Sequence, residues 1–383
     1  MGIYLDYNSS TPIDKRVLDV MVNVYKNTYG NSDSRTHDYG DGARKIVEDA
    51  RSNVASILSI NKDEVFFTSG ATESINIALL GLKSYAIKEN KRHIITTSIE
   101  HKAVIETAKS MKKEGFEVDF IDPDESGRIL PEQVKQLLRE DTLLVSVMHV
   151  NNETGIIQPI KEIGEFLADK PAFFHVDATQ SFGKLVEELR EVKYNMLSMS
   201  AHKLGGPQGI GALVLKKQGY HMFPVKSIVY GGQQEHGIRP GTVPVALVAG
   251  LGAACEFAER EYKQNEIKCA IIKEKLIELL KKSELTYEYN GNQDYCVSST
   301  MNICINGVAS EALMLSSKQF CAVSNGSACN SKSYRPSYVL TAMGLPIEKI
   351  ENSIRISWGP HLDLNEVEEL FTNMTKIAKG LVF

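Results

Sequence analysis

Between about residues 64 and 215, short apolar runs alternate with amphipathic stretches of helical length. The runs at 65–68, 93–97, 117–121, 143–148, 172–176, 196–200 and 211–215 predict strands, because short, mostly apolar runs bounded by turn formers suit buried strands. Since helix-length segments separate most of them, the pattern predicts an α/β fold with a largely parallel seven-stranded sheet covered on both faces. Ligands of such sheets gather at the carboxyl ends of the strands. Residues 246–280 read as one long helix, free of Gly and Pro between Ala253 and Leu285, that links two domains. The runs at 300–305 and 354–357, with helical patterns at 310–316 and 365–378, predict a smaller α+β domain. The expected division is a large domain over 13–255 and a small one built from 1–12 and 256–383. No internal repeat, coiled coil or low-complexity tract appears.

Composition narrows the class. With 383 residues, 43% of them apolar and 24% charged, the chain suits a soluble globular protein long enough for two domains. A net charge of -5 without a dense basic block argues against a dedicated nucleic-acid surface. No run approaches the roughly 20 apolar residues of a membrane span. The start of the chain carries no basic leader or signal-peptide core, so a cytoplasmic location is expected. Asp6 occupies the position where a myristoylation signal wants Ser or Thr, so no lipid anchor is expected. The six cysteines include no CxxC pair, which suggests neither a zinc knuckle, and hence no metal, nor a disulfide framework. Cys329 stands apart within a small, polar stretch over 324–333, which reads as a mobile loop.

Candidate chemistry falls at the predicted strand ends. The segment 198–207 closes an apolar run with Lys203 among small, turn-forming residues, where a lysine amine can be desolvated and hold an aldehyde cofactor as a Schiff base. Upstream, the run 173–176 ends in Asp177 and, three residues on, Gln180. A carboxylate there could keep a pyridine nitrogen protonated, as pyridoxal phosphate needs, and Gln180 could reach the ring hydroxyl. The segment 68–74 precedes a helical pattern, whose unpaired amides together with the Thr72 hydroxyl would cradle a phosphate. Ser200 and His202 could add donors. His101 could stack on the ring and shuttle protons, with a helix-capping or surface role as the plain alternative. Lys102 is a rival for the Schiff base, weaker because it leads into a helical pattern where lysines are usually solvated.

These segments resemble the pyridoxal-phosphate-dependent cysteine desulfurases, fold-type-I enzymes of aminotransferase class V, over nearly the whole chain. The matches run in order through 4–8, 68–74, 100–104, 148–153, 175–180, 239–242, 326–329 and 353–355. The stretch around Cys329 is similar to that of the iron-sulfur and nitrogen-fixation subgroup. The resemblance implies that Lys203 binds the cofactor aldehyde, Asp177 pairs with the pyridine nitrogen, Gln180 meets the ring oxygen and His101 stacks on the ring. It implies that Ala71, Thr72, Ser200 and His202 hold the phosphate, and that Asn152 and Arg355 grip the carboxylate of L-cysteine. Thr242 would reach the phosphate of a neighbouring subunit, which implies a homodimer. Cys329 would take the substrate sulfur as a persulfide on a loop at about 322–334 and hand it to an acceptor protein, leaving L-alanine. The implied destinations are iron-sulfur cluster assembly, tRNA thiolation or DNA phosphorothioate modification, with no direct contact to nucleic acid. Other readings of the same residues are a selenocysteine lyase, an aminotransferase or a non-catalytic scaffold. The chain departs from the usual pattern at 8–11, at Ser32 in place of a frequent Pro, and at Gly205 where a tyrosine often follows the lysine. None of these removes an obligatory chemical group, but they leave the branch and its pathway open.

Overall fold

In the computed structural model, which describes residues 2–217, 223–326 and 336–382, the apolar runs form the strands their pattern predicts. After the two-residue β1 (Ile3–Tyr4) come β2 (Val65–Thr68), β3 (His93–Thr97), β4 (Glu117–Ile121), β5 (Thr142–Met148), β6 (Phe173–Asp177), β7 (Met196–Ser200) and β8 (Gly211–Leu215). Strands β2 to β8 make one sheet in the order β2-β8-β7-β6-β5-β3-β4. Neighbouring strands from β4 across to β7 run parallel, whereas β8 runs antiparallel to both β7 and β2.

That one reversal positions the chemistry. A parallel crossover needs a long connection, usually a helix, that carries the chain back across the sheet. Residues 201–210 instead turn directly from β7 into β8, and Ala201 N–H donates to the Ile210 carbonyl at 3.1 Å to extend the ladder. Lys203 is therefore held at the carboxyl end of β7, beside the end of β6 that carries Asp177. Gly211 admits the close return, since a Cβ there would lie 2.7 Å from Gly70 Cα and 2.5 Å from the Met199 carbonyl.

Alternation along the strands sends side chains to two cores. Val145, Val147, Val214 and Met199 pack in one with residues of the helices Asp38–Leu58, Ile160–Leu167 and the first turns of Val245–Lys282. Leu144, Met196 and Leu213 pack in the other with the helices Ala71–Leu80 and Lys102–Lys113. A third core surrounds the antiparallel sheet of β9 (Tyr287–Tyr289), β10 (Thr300–Ile305) and β12 (Ser353–Ser357), with β11 at Cys321–Ala322. The 38-residue helix Val245–Lys282 joins these regions. Its Val248, Leu251 and Cys255 lie in the first core, and its Cys269, Ile272 and Leu276 lie in the third. At 1.5 Å per residue it spans about 57 Å.

The first strand belongs with the far end of the chain. Ile3 and Tyr4 pair in parallel with Cys321 and Ala322, and Asp6 bridges to Ser357. The helix Lys15–Asn27, capped by Asp14, buries Val17, Met21 and Val24. It leaves Leu18, Val22 and Tyr25 exposed, continuing to Tyr29 and a stacked Tyr39. Among the described residues no helix is long and apolar enough to cross a membrane.

Candidate active site

Ten of the residues singled out above line a single pocket of about 450 Å³ at the strand ends: Ala71, Thr72, His101, Asn152, Asp177, Gln180, Ser200, His202, Lys203 and Arg355. Thr242 is exposed and does not line this pocket, and Cys329 lies outside the described residues.

The Lys203 amine donates to the backbone carbonyls of Asn8, at 2.6 Å, and Ser9, at 2.5 Å. Burial, with Arg355 and Lys184 nearby, lowers its pKa to about 7, against the pull of Asp6 and Asp177. Desolvation disfavours an ammonium, so a large fraction of the amine is neutral and nucleophilic near physiological pH. Gly205, at φ +78°, knits this loop to the start of the chain: its N–H donates to Thr11 Oγ1 at 2.9 Å, and its carbonyl accepts from Asp14 N–H at 2.9 Å. Lys102 is placed differently, with its amine 5.9 Å from the Tyr338 ring centroid and outside the main pocket.

The depressed pKa has a sign that stability can read. In the unfolded chain Lys203 titrates near 10.5 and in the folded chain near 7. Between these values the unfolded state binds more protons, so stability rises with pH across that window and the gain is absent below it. The urea midpoint of the cofactor-free protein is expected to climb more steeply from pH 7 toward pH 10.5 than that of Lys203→Met. Parallel profiles would refute the burial of this amine.

Asp177 ends β6 in an Asx turn, with Oδ1 accepting from Thr179 N–H at 2.9 Å and from the Thr179 hydroxyl. Among the described residues its Oδ2 has no hydrogen-bond donor, and Asp177 lines the pocket. His101 caps the helix Lys102–Lys113, its Nδ1 accepting from Ala103 N–H at 3.2 Å, so capping and pocket roles coincide. Burial holds its pKa below the usual histidine range against the attraction of Asp177, which keeps the ring neutral with its proton on Nε2. Beneath it Glu100 is fully buried, and desolvation pushes its carboxyl up to about 8. Gln180 Nε2 donates to the Asn8 carbonyl at 2.9 Å.

The helix Ala71–Leu80 begins at Gly70, at φ +151°, with no side chain capping its first turn, so its free amides face the pocket end. Glu73 fixes the approach by accepting from Ser69 N–H and pairing with Arg239 at 3.1 Å. His202 Nδ1 lies 3.2 Å from Ser10 Oγ. Burial and the neighbouring Lys203 lower its pKa to about 4, so it meets an anion as a neutral donor rather than as a charge.

Opposite, Arg355 on β12 is 2% exposed; it donates through Nη1 to the Asn152 carbonyl at 2.9 Å and through Nη2 to Asp6 Oδ1 at 2.5 Å. Among the described residues, its Nε, Asn152 Oδ1 and Gln180 Oε1 are buried without a hydrogen-bond partner. Buried polar atoms are normally paired, and three orphans on the lining of one pocket mark a place where a polar ligand completes the bonding. No local pattern marks Asp6, Asn8 and Ser9 as the partners of Arg355 and Lys203, since two of the three act through backbone carbonyls.

Residues 3–370 match the family model described as aminotransferase class-V. Over 370 residues the chain is 41% identical to a protein named cysteine desulfurase IscS from Histophilus somni (strain 129Pt), covering 96% of this chain and 90% of that relative. The chain belongs to the cysteine desulfurase branch of aminotransferase class V. A solved structure titled NifS-like protein matches this desulfurase-family fold with a TM-score of 0.91 at 33% identity over the whole of both chains. Another, titled SspA in complex with cysteine, matches with a TM-score of 0.82 at 34% identity over 94% of this chain and 99% of that one. The cofactor of this desulfurase family is pyridoxal phosphate. The residues present fit it: an amine poised near neutrality, a buried carboxylate with one free oxygen, an open helix N-terminus and unpaired polar atoms converge on a single cavity.

Proposed function

We propose that this chain is a homodimeric cysteine desulfurase that converts L-cysteine to L-alanine, gathers the sulfur as a persulfide on Cys329 and passes it to an acceptor protein. The observation that carries the reading is the convergence of a desolvated lysine amine and a buried arginine with a free N–H on one pocket. When bound, pyridoxal phosphate supplies an electron sink next to the substrate Cα. Lys203 and Asp177 hold its reactive ring, Gln180 and His101 flank it, and Ala71, Thr72, Ser200 and His202 receive its phosphate. Arg355 and Asn152 orient the substrate carboxylate. Lys203, near its midpoint at neutral pH, takes the proton from Cα and returns one to carbon later in the cycle. The Cys329 thiolate forms an S–S bond to the substrate sulfur as the C–S bond breaks. The C–S electron pair stays with carbon and is protonated to the methyl group of alanine. A thiol and cysteine thus become a persulfide and alanine without an external oxidant.

Supporting observations extend to assembly. The exposed apolar face of Leu18, Val22, Tyr25 and Tyr29 suits burial against a second copy, where Thr242 would complete the partner's phosphate site. The cysteines described are all free, which suits a reducing cytoplasm. The domain division is read within the helix Val245–Lys282, near residue 255, which packs on the first core at one end and the third at the other.

The assay that tests the function combines the purified protein with pyridoxal phosphate, L-cysteine and a thiol reductant. Alanine and sulfide are expected in equal amounts, and absence of alanine would sink the reading. Arg355→Lys keeps a charge but loses the planar fork, so the KM for cysteine is expected to rise roughly 10- to 100-fold, with a smaller change in kcat. An unchanged KM in steady-state assays would remove Arg355 from the carboxylate site.

A further inference from the structure

Behind Lys203 lies a second cavity, of about 990 Å³, between the large sheet and the region of the third core. It shares only Gln180 and Lys203 with the pocket described above. Its walls are apolar where Leu185, Leu204, Ala254, Phe257 and Trp358 face it. Lys184 lies on the same lining. The Lys184 amine makes no hydrogen bond or ion pair among the described residues, and burial lowers its pKa below the usual lysine range. Among the described residues none of the lining carboxylates, Asp14, Glu188, Glu261 and Glu266, pairs with it. Asp14 and Glu261 are both engaged by Arg16, and Glu188 Oε2 lies 3.1 Å from His149 Nε2.

A half-buried ammonium without a partner carries a desolvation cost, and a counter-charge of the right shape relieves it. The surroundings supply the rest of the specification. Lys273, also on the lining, donates to the Val297 carbonyl at 3.3 Å and adds a second cation. Two of the glycines on the wall, Gly183 at φ +72° and Gly205 at φ +78°, help keep the cavity open. A Cβ on Gly183 would come within 3.1 Å of Ala258 Cβ and 3.2 Å of Leu204 Cδ1. The volume falls in the range of small-molecule sites, and the lining sets apolar side chains beside charged ones.

We propose that this cavity is a binding site for a small organic carboxylate with an apolar body, its carboxylate on Lys184 and its body against Leu204, Phe257 and Trp358. The contacts assigned to the ligand are not those of the catalytic pocket, and the proposal does not depend on the desulfurase reading. Its occupant sits across Lys203 from the cofactor position, so its charge lies within electrostatic reach of the catalytic amine, which Lys184 already influences.

The test is calorimetric titration of the cofactor-loaded protein with 4-phenylbutyrate, and with 4-phenylbutanol as the uncharged match. Saturable binding of the carboxylate is expected, weaker by roughly tenfold or more for the alcohol and for Lys184→Met with the carboxylate. Ala258→Trp, which fills the cavity from the helix Val245–Lys282, is expected to abolish it. Should Ala258→Trp fail to fold, as a thermal melt would reveal, Lys184→Met and the alcohol decide the matter. Absence of saturable binding to the wild type, or equal affinity in Lys184→Met, or equal affinity for the alcohol, would overturn the proposal.

Discussion

Lys203→Ala is expected to yield protein that lacks the near-visible absorbance of a lysine-bound aldehyde and makes alanine from cysteine at least about 10⁴-fold more slowly. The size of the loss follows from two duties resting on one nitrogen. The amine anchors the cofactor, and it then carries the proton to and from carbon. Both require a neutral amine at working pH, and burial beside Arg355 and Lys184 supplies that condition. No neighbour can substitute. Lys102 lies against Tyr338 at the start of another helix, and Lys184 faces the other cavity. A variant that kept both the absorbance and the turnover would mean that another lysine does the chemistry, and the mechanism above would fall with it.

Cys329→Ser is expected to keep the cofactor absorbance of the wild type while persulfide formation and cysteine-dependent sulfur transfer drop by at least about 10³-fold. An alcohol at pH 7 is neither ionised nor soft enough to attack sulfur. Although Cys329 lies outside the described residues, the chain on either side of it is held at the pocket. Ser324 pairs with Arg355, the Ser337 hydroxyl donates to Glu153 Oε2 at 2.5 Å, and the Tyr338 hydroxyl donates to the Glu100 carbonyl at 2.8 Å. Mass spectrometry after one turnover reads the extra sulfur directly. Full sulfur transfer by the serine variant would defeat the assignment of Cys329.

The central strands were legible because buried sheet strands are short, apolar and bounded by turn formers, and Met196–Ser200 and Gly211–Leu215 fall where their runs stand. Their relative direction was not, because an apolar run reads alike both ways. Only the lack of a helical pattern over 201–210 hinted at the reversal of β8. The helices Lys15–Asn27 and Asp38–Leu58 lie outside the alternating stretch on which the pattern reading rests, although Val17, Met21 and Val24 in the first keep a helical spacing. Strands of two residues, such as β1 and β11, are too short to show any period. At the site, Lys203, Asp177 and Arg355 announced themselves by side-chain chemistry. The Asn8 and Ser9 carbonyls that receive Lys203 could not, since every residue has a carbonyl. In the sequence Glu100 stands out only as a neighbour of His101, and its raised pKa comes from burial that no local pattern encodes.

The opening residues tie three distant parts together: Ile3 and Tyr4 to the strand before the cysteine segment, Asp6 to Arg355, and Asn8 and Ser9 to the catalytic amine. Among the described residues, two backbone pairings secure the outermost part of that splint. A purification tag fused at the front of the chain would tug on the splint, and the damage would masquerade as a chemical defect in an enzyme whose reactive groups are all intact. Engineers of this protein should therefore put their handles at the other end, after the helix Leu364–Gly380.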